Sequence, residues 1–222
     1  LTFDLIRFTM ISHVSDHLHI EDKEERFISK EMSSSDKLLT AVIELVAEKG
    51  YNGVSTKEIA TTAGVNEVTL FRLFGSKQNL LETAFHRYHY SEEMTKLFQD
   101  KLVWDLHADL LLISRTYHEA MNRNRKIIQI ALKEGSVFAE FREKANKHPQ
   151  KLKQLLADYF QAMFEKGKLI EANWELQALS FMWMNYGAFI SNLHSDGSNF
   201  PAAPMNAFIE ESVRTFARAL TP

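Results

Sequence analysis

Residues 55–77 read STKEIATTAGVNEVTLFRLFGSK. The order of capping, small and apolar residues in this stretch predicts two short helices joined by a tight turn. Thr56 is expected to cap a first helix over 57–63, since a side-chain hydroxyl can accept from an otherwise unpaired backbone N–H. Gly64 ends it, because the turn needs a backbone angle that a Cβ disfavours. Asn66 caps a second helix over 67–74, and Gly75-Ser76 closes it. Ile59, Ala60, Val65, Leu70 and Phe74 form the apolar seam between the two, and Ala60 is small enough to let them approach. Two short helices with a Gly-containing turn define a helix-turn-helix.

Outward from this pair the pattern stays helical. Upstream, Asp36 is expected to cap a helix over 37–49, with Leu38, Val42, Leu45 and Val46 on one face and Gly50 as its stop. Downstream, a helix is expected from 77 to about 98. Further helices are expected near 101–122, 125–134, 137–146, 149–166, 173–194 and 204–220. Asn122 to Asn124, His148-Pro149, Gly167 and Ser195-Asp196-Gly197 separate them. No run alternates long enough to make a strand, so the chain reads as all-α. Three parts are expected: an extension over 1–31, a helix-turn-helix domain over 32–80, and a larger helical domain over 81–222. Met32, followed by a polar Ser-Ser-Ser-Asp run, is the expected natural start.

The composition narrows the chemistry. The 222 residues include no cysteine, which removes disulfides and thiolate catalysis. Eight glycines and four prolines are too few for a turn-rich β fold. The formal charge of −3 means that any polyanion must be met by a local patch. The charge-free run 176–193 carries Gln177, Ser180, Asn185, Ser191 and Asn192, so it reads as a buried or interface helix and not a membrane span. No Gly-rich phosphate loop, no Ser/His/Asp spacing and no two-histidine zinc helix is found. No catalytic residue, metal ligand or cofactor is therefore expected. His86 and His89 lie three apart, but packing or solvated histidines are the better reading of that pair.

The wider pattern is Glu48-Lys49-Gly50-Tyr51, Ser55-Thr56-Lys57-Glu58-Ile59-Ala60, Ala63-Gly64-Val65, Thr69-Leu70-Phe71-Arg72-Leu73-Phe74, Ser76-Lys77 and Leu80-Leu81. Over about residues 36–82 it closely resembles the TetR/AcrR family of bacterial transcriptional repressors. Beyond that the resemblance is one of architecture, with Gly187 set within a late hydrophobic helix. The resemblance implies a cytoplasmic homodimer that binds a double-stranded operator and leaves it when a small molecule binds. Three positions depart from the family pattern: Val68 stands where Gly is usual, Phe71 where Tyr is usual, and Leu73 where His or Tyr is frequent.

Residues 36–80 hold five basic and five acidic side chains. Phosphate anchoring must then lean on helix N-termini, whose N–H groups attract anions. Thr56, Lys57, Thr69 and Lys77 are the expected phosphate contacts, with Asn66 opening the second helix. Glu67, Val68 and Arg72 are expected at base edges, through cytosine, a thymine methyl and guanine respectively. Phe71 can pack against sugar.

Aromatic and Met residues crowd the second part of the chain. Most must be core, but Trp104, His107, Leu111, Tyr159, Met163 and Trp183 are the expected lining of an effector pocket. The helix near 173–194 is apolar round too much of its surface for one buried face. By the resemblance, it and the helix near 204–220 form the dimer interface. In the two-state scheme the resemblance implies, a ligand swings the helix over 77–98 and spoils the spacing of the two recognition helices. The alternative is a helical interaction or ligand-binding protein of the same fold with weak or lost DNA binding.

Overall fold

The computed structural model describes residues 32–87, 91–133, 147–193 and 204–222. Within them every regular element is a helix. In chain order these are α1 (Ser34–Lys49), α2 (Thr56–Thr62), α3 (Glu67–Phe74), α4 (Lys77–Arg87), α5 (Ser91–Asp100), α6 (Leu106–Arg123), α7 (Arg125–Lys133), α8 (Lys147–Glu165), α9 (Trp174–Leu193) and α10 (Met205–Leu220). The extension over 1–31, the helix expected over 137–146 and the His86–His89 pairing lie outside the described residues. The chain divides into two compact units between Ala84 and Phe85.

Two of the expected caps are displaced by one to three residues. Ser33, not Asp36, caps α1: its hydroxyl accepts from the Asp36 N–H at 3.1 Å and donates to the Asp36 carboxylate at 2.8 Å. Asp36 instead sits in the first turn, where a carboxylate meets the positive end of the helix. Ser55, not Thr56, caps α2 by accepting from the Glu58 N–H at 3.1 Å. In both places consecutive residues all have capping side chains, and local chemistry alone cannot rank them. Asn66 caps α3 as expected, its Oδ1 accepting from Val68 N–H at 2.9 Å.

The first unit is a small core closed by the turn. Leu38, Val42, Ile59, Ala60, Leu70, Leu80 and Leu81 are buried. Each wholly buried Leu or Ile contributes about 1.5–3 kcal/mol over its exposed state. Val65 and Phe74 are half-buried at the edge of the seam. Gly64 takes φ 65°, and the Val65 N–H returns to the Ala60 carbonyl at 3.0 Å. That bond closes α2 in the manner of a Schellman turn.

The second unit is built on α5, α6, α8, α9 and α10, with α8 lying along α9 and α6 along α10. Phe160, Phe181 and Phe189 are buried at its centre, and Phe216, Trp174 and Phe164 extend the aromatic cluster. The helix expected from 101 begins only at Leu106, where Asp105 caps it by accepting from Ala108 N–H at 2.8 Å. The loop before it is tied down. Buried Asp109 accepts from Val103 N–H and from the Tyr159 hydroxyl, both at 2.8 Å. Burial, and then the Asp109 carboxylate, hold the Tyr159 phenol far above its ordinary range. Trp104 has φ 62°, a left-handed angle that is strained for a bulky side chain. It is secured by stacking on Tyr159, by Lys166 over its ring and by Lys168 donating to its carbonyl.

Candidate nucleic-acid interface

The turn presents α3 with its buried side fixed by Leu70 and its outer side turned to solvent. Val68 is 71% exposed, Phe71 48% and Leu73 44%, and Arg72 is also exposed. Positions 68, 71 and 72 are spaced i, i+3, i+4, so they share one face. An eight-residue helix showing this much apolar surface has no reason to do so in water unless something covers it. Lys57 is exposed on α2, and Thr69 is half-buried.

Three of the expected contact side chains are already engaged within the unit. The Lys77 ammonium donates to the Tyr51 and Val54 carbonyls at 2.7 Å each and lies 4.1 Å from the centre of the Tyr51 ring. Burial pulls it below the ordinary lysine range. Lys77 therefore ties α4 to the link after α1, and its charge is turned inward, away from a phosphate. Thr56 donates to the Glu67 carboxylate at 2.6 Å. That bond latches the start of α2 to the start of α3 and occupies one oxygen of Glu67. The tie at Tyr51 joins residues 26 apart in sequence, so no local spacing could have disclosed it. Lys49 and Glu58 add an exposed ion pair at 2.6 Å, which raises the lysine and lowers the carboxyl.

In the second unit, the residues expected to line a pocket stand in different surroundings. Trp104 stacks on buried Tyr159, Met163 is buried core, and Leu111 packs on the core from its edge. His107 and Trp183 face solvent. A cavity of about 10 Å³, room for about one water, lies instead between α6, α8 and α9. Ile113, Tyr117, Leu152, Leu156, Phe181 and Met182 wall it, together with Ser114 and Asn185. Ser114 and His118 are buried; the serine Oγ reaches no hydrogen-bond partner, and the imidazole lies against the Asn185 side chain. A buried polar group left unpaired costs about 1–3 kcal/mol. Burial lowers the His118 pKa, and the neighbouring Asn185 side chain offsets this only in part. The signal in the sequence was slight: Ser114 and His118 join Asp109 as the polar residues on the mostly apolar buried side of α6.

A three-helix helix-turn-helix unit with an exposed second helix, followed by a larger all-helical unit, defines a DNA-binding regulator. Residues 38–84 match the family of bacterial regulatory proteins named for TetR, and residues 108–221 match the C-terminal domain of AefR-like transcriptional repressors. The chain belongs to the TetR family of transcriptional regulators. It is 34% identical over 188 residues to YvkB, an uncharacterized HTH-type transcriptional regulator of Bacillus subtilis, covering 85% of this chain and 97% of that one. Among solved structures it shares the fold of the TetR-family regulator PfmR from Thermus thermophilus, with a TM-score of 0.64 at 17% identity over 82% of this chain and 98% of that one. It also shares the fold of reduced NemR from E. coli, with a TM-score of 0.65 at 16% identity over 86% and 100%.

Proposed function

We propose that this chain is a homodimeric repressor that grips a pseudo-palindromic operator in double-stranded DNA and is released by a small apolar or aromatic effector. The carrying observation is the solvent-facing Val68, Phe71 and Arg72 surface on a capped, rigidly seated α3. Arg72 is the donor suited to guanine, and Val68 and Phe71 suit thymine methyls and sugar. Phosphate contact falls to Lys57, Thr69 and the N–H groups at the starts of α2 and α3, with Asn66 at the second.

Dimerisation is supported by α9. Leu176 is 57% exposed and Trp183 67%, and Tyr186 is exposed beside them. Gly187 is also exposed, and a Cβ there would meet nothing. A glycine within a helix costs about 1 kcal/mol against alanine, so its use on an apolar stripe suits a close crossing with a second copy. α10 completes the proposed four-helix contact. A twofold dimer matches two half-sites about one helical turn of DNA apart. A ligand that favours one arrangement of the helical unit would shift the spacing of the two α3 helices, within the limit of its differential affinity. No helix among the described residues is long and apolar enough to cross a membrane. The proposed setting is the cytoplasm, and the role is regulation rather than catalysis.

The test is a salt-dependent gel shift on the DNA upstream of the chain's own gene. Specific binding that weakens steeply with salt is expected. Arg72→Ala should lose about 1–3 kcal/mol of discrimination between the operator and a variant at the guanine it reads. If the wild type ignores its own upstream DNA at low ionic strength, the same fold serves only as a helical ligand-binding or interaction protein.

A further inference from the structure

We propose that Thr56 is a specificity-determining positioning residue: its hydroxyl fixes the Glu67 carboxylate so that the other oxygen reads the amino group of one cytosine in each operator half-site. The inference rests on the repressor reading above and deepens it to the base at one position. Thr56 opens α2 and Glu67 opens α3. They stand eleven residues apart in sequence, and the turn at Gly64 brings the two helix starts together. The Thr56 hydroxyl donates to Glu67 Oε1 at 2.6 Å in a half-buried contact. Among the described residues no Lys or Arg forms an ion pair with Glu67. Glu58 on α2, by contrast, is paired with Lys49. Glu67 therefore carries an uncompensated negative charge one turn before Phe71, on the helix proposed to enter the groove. Against phosphates alone such a charge only weakens binding. Against a base that donates, it becomes a selector.

The base follows from the chemistry of the carboxylate, which accepts hydrogen bonds and cannot donate them. In the major groove cytosine presents an amino donor, and thymine presents an acceptor in its place. Guanine presents two acceptors, and the amino donor of adenine sits beside the acceptor N7. A carboxylate oxygen thus suits cytosine and meets an acceptor on each of the other three. A wrong base leaves a desolvated charge without a partner, and discrimination arises from that penalty. Thr56 acts through Glu67. It commits Oε1 to the protein and leaves Oε2 as the oxygen free to accept from a base. It also orders a long side chain before DNA arrives, so less rotamer freedom is lost on binding. Valine at position 56 would keep the shape of threonine and remove the donor.

The experiment incubates the full chain with a library of random DNA duplexes and sequences the retained fraction. The enriched duplex and its single-base variants are then titrated by fluorescence anisotropy. The wild type is expected to hold one cytosine per half-site about tenfold more tightly than thymine at the same place. Thr56→Val is expected to shrink that ratio about threefold or more, with preferences at all other positions unchanged, and Thr56→Ser to restore it. Glu67→Gln, whose amide can donate, is expected to admit thymine there. Melting curves accompany each variant, and Thr56→Ala replaces the valine form if that form is unfolded. A Thr56→Val protein that loses affinity equally on every duplex, its cytosine ratio intact, would overturn the inference and leave the bond a purely structural tie. So would a strict cytosine preference that survives in Glu67→Gln, or a wild type that requires cytosine nowhere. A wild type that binds no duplex at low ionic strength loses the repressor reading and this inference with it. One that enriches an operator but keeps its ratio in the variants loses only this inference.

Discussion

Lys77 donates to two backbone carbonyls while its charge sits over the Tyr51 ring, so its energetic role is to hold the small unit together. Lys77→Met should destabilise that unit by on the order of 2 kcal/mol, since hydrogen bonds to a charged group are worth more than neutral ones. Chemical denaturation checks this. The same substitution should leave the salt dependence of DNA binding intact, whereas Lys57→Ala should lower its slope by about one. His118 sets a second residue-scale expectation. Its folded pKa lies below the ordinary value of 6.5, so the unfolded chain takes up a proton first as pH falls. The stability it contributes is fully present above that value. It is lost as pH drops from there through the lowered folded value. The melting temperature of the wild type should therefore fall more steeply between pH 7 and 5 than that of His118→Gln. Parallel curves would show that the imidazole titrates alike in both states.

Among the elements, α2 and α3 show how much was legible in the sequence. Gly64, Asn66 and the apolar seam are local signals, and the helix pair they predict is the pair observed. Gly64→Ala should cost about 1–2 kcal/mol, all of it conformational, because φ is 65° and a Cβ would touch nothing. A melt of the variant tests this, and no change would mean the turn can adopt another angle. The caps were misread only where neighbouring residues compete for one role, as at Ser55-Thr56. Which side chains of this pair face solvent was legible only in part. Exposure of Val68 and Arg72 follows from helical period, whereas Lys77 and Thr56 point inward through partners distant along the chain. The interior of the second unit was harder still. Tyr159 and Met163 are core, and the buried polar residues Ser114, His118 and Asn185 become a group only when α6 meets α9.

For the whole molecule, the proposed assembly depends on the apolar stripe of α9. Trp183→Glu should convert the dimer to a monomer and abolish operator binding while leaving each protomer folded, because Trp183 is exposed in the single chain. Sedimentation and circular dichroism together check this, and a dimeric Trp183→Glu protein would remove α9 from the interface. The placement of the tryptophans has one more consequence. All three lie in the second unit, with Trp104 stacked on Tyr159, Trp174 against Phe160 and Phe164, and Trp183 in water. The helix-turn-helix unit is thus dark to indole emission, and a spectrum of the native chain reports the second unit alone. A blue shift on raising protein concentration would come from Trp183, the more exposed of the two solvent-facing indoles, so self-association could be followed spectroscopically with no label attached.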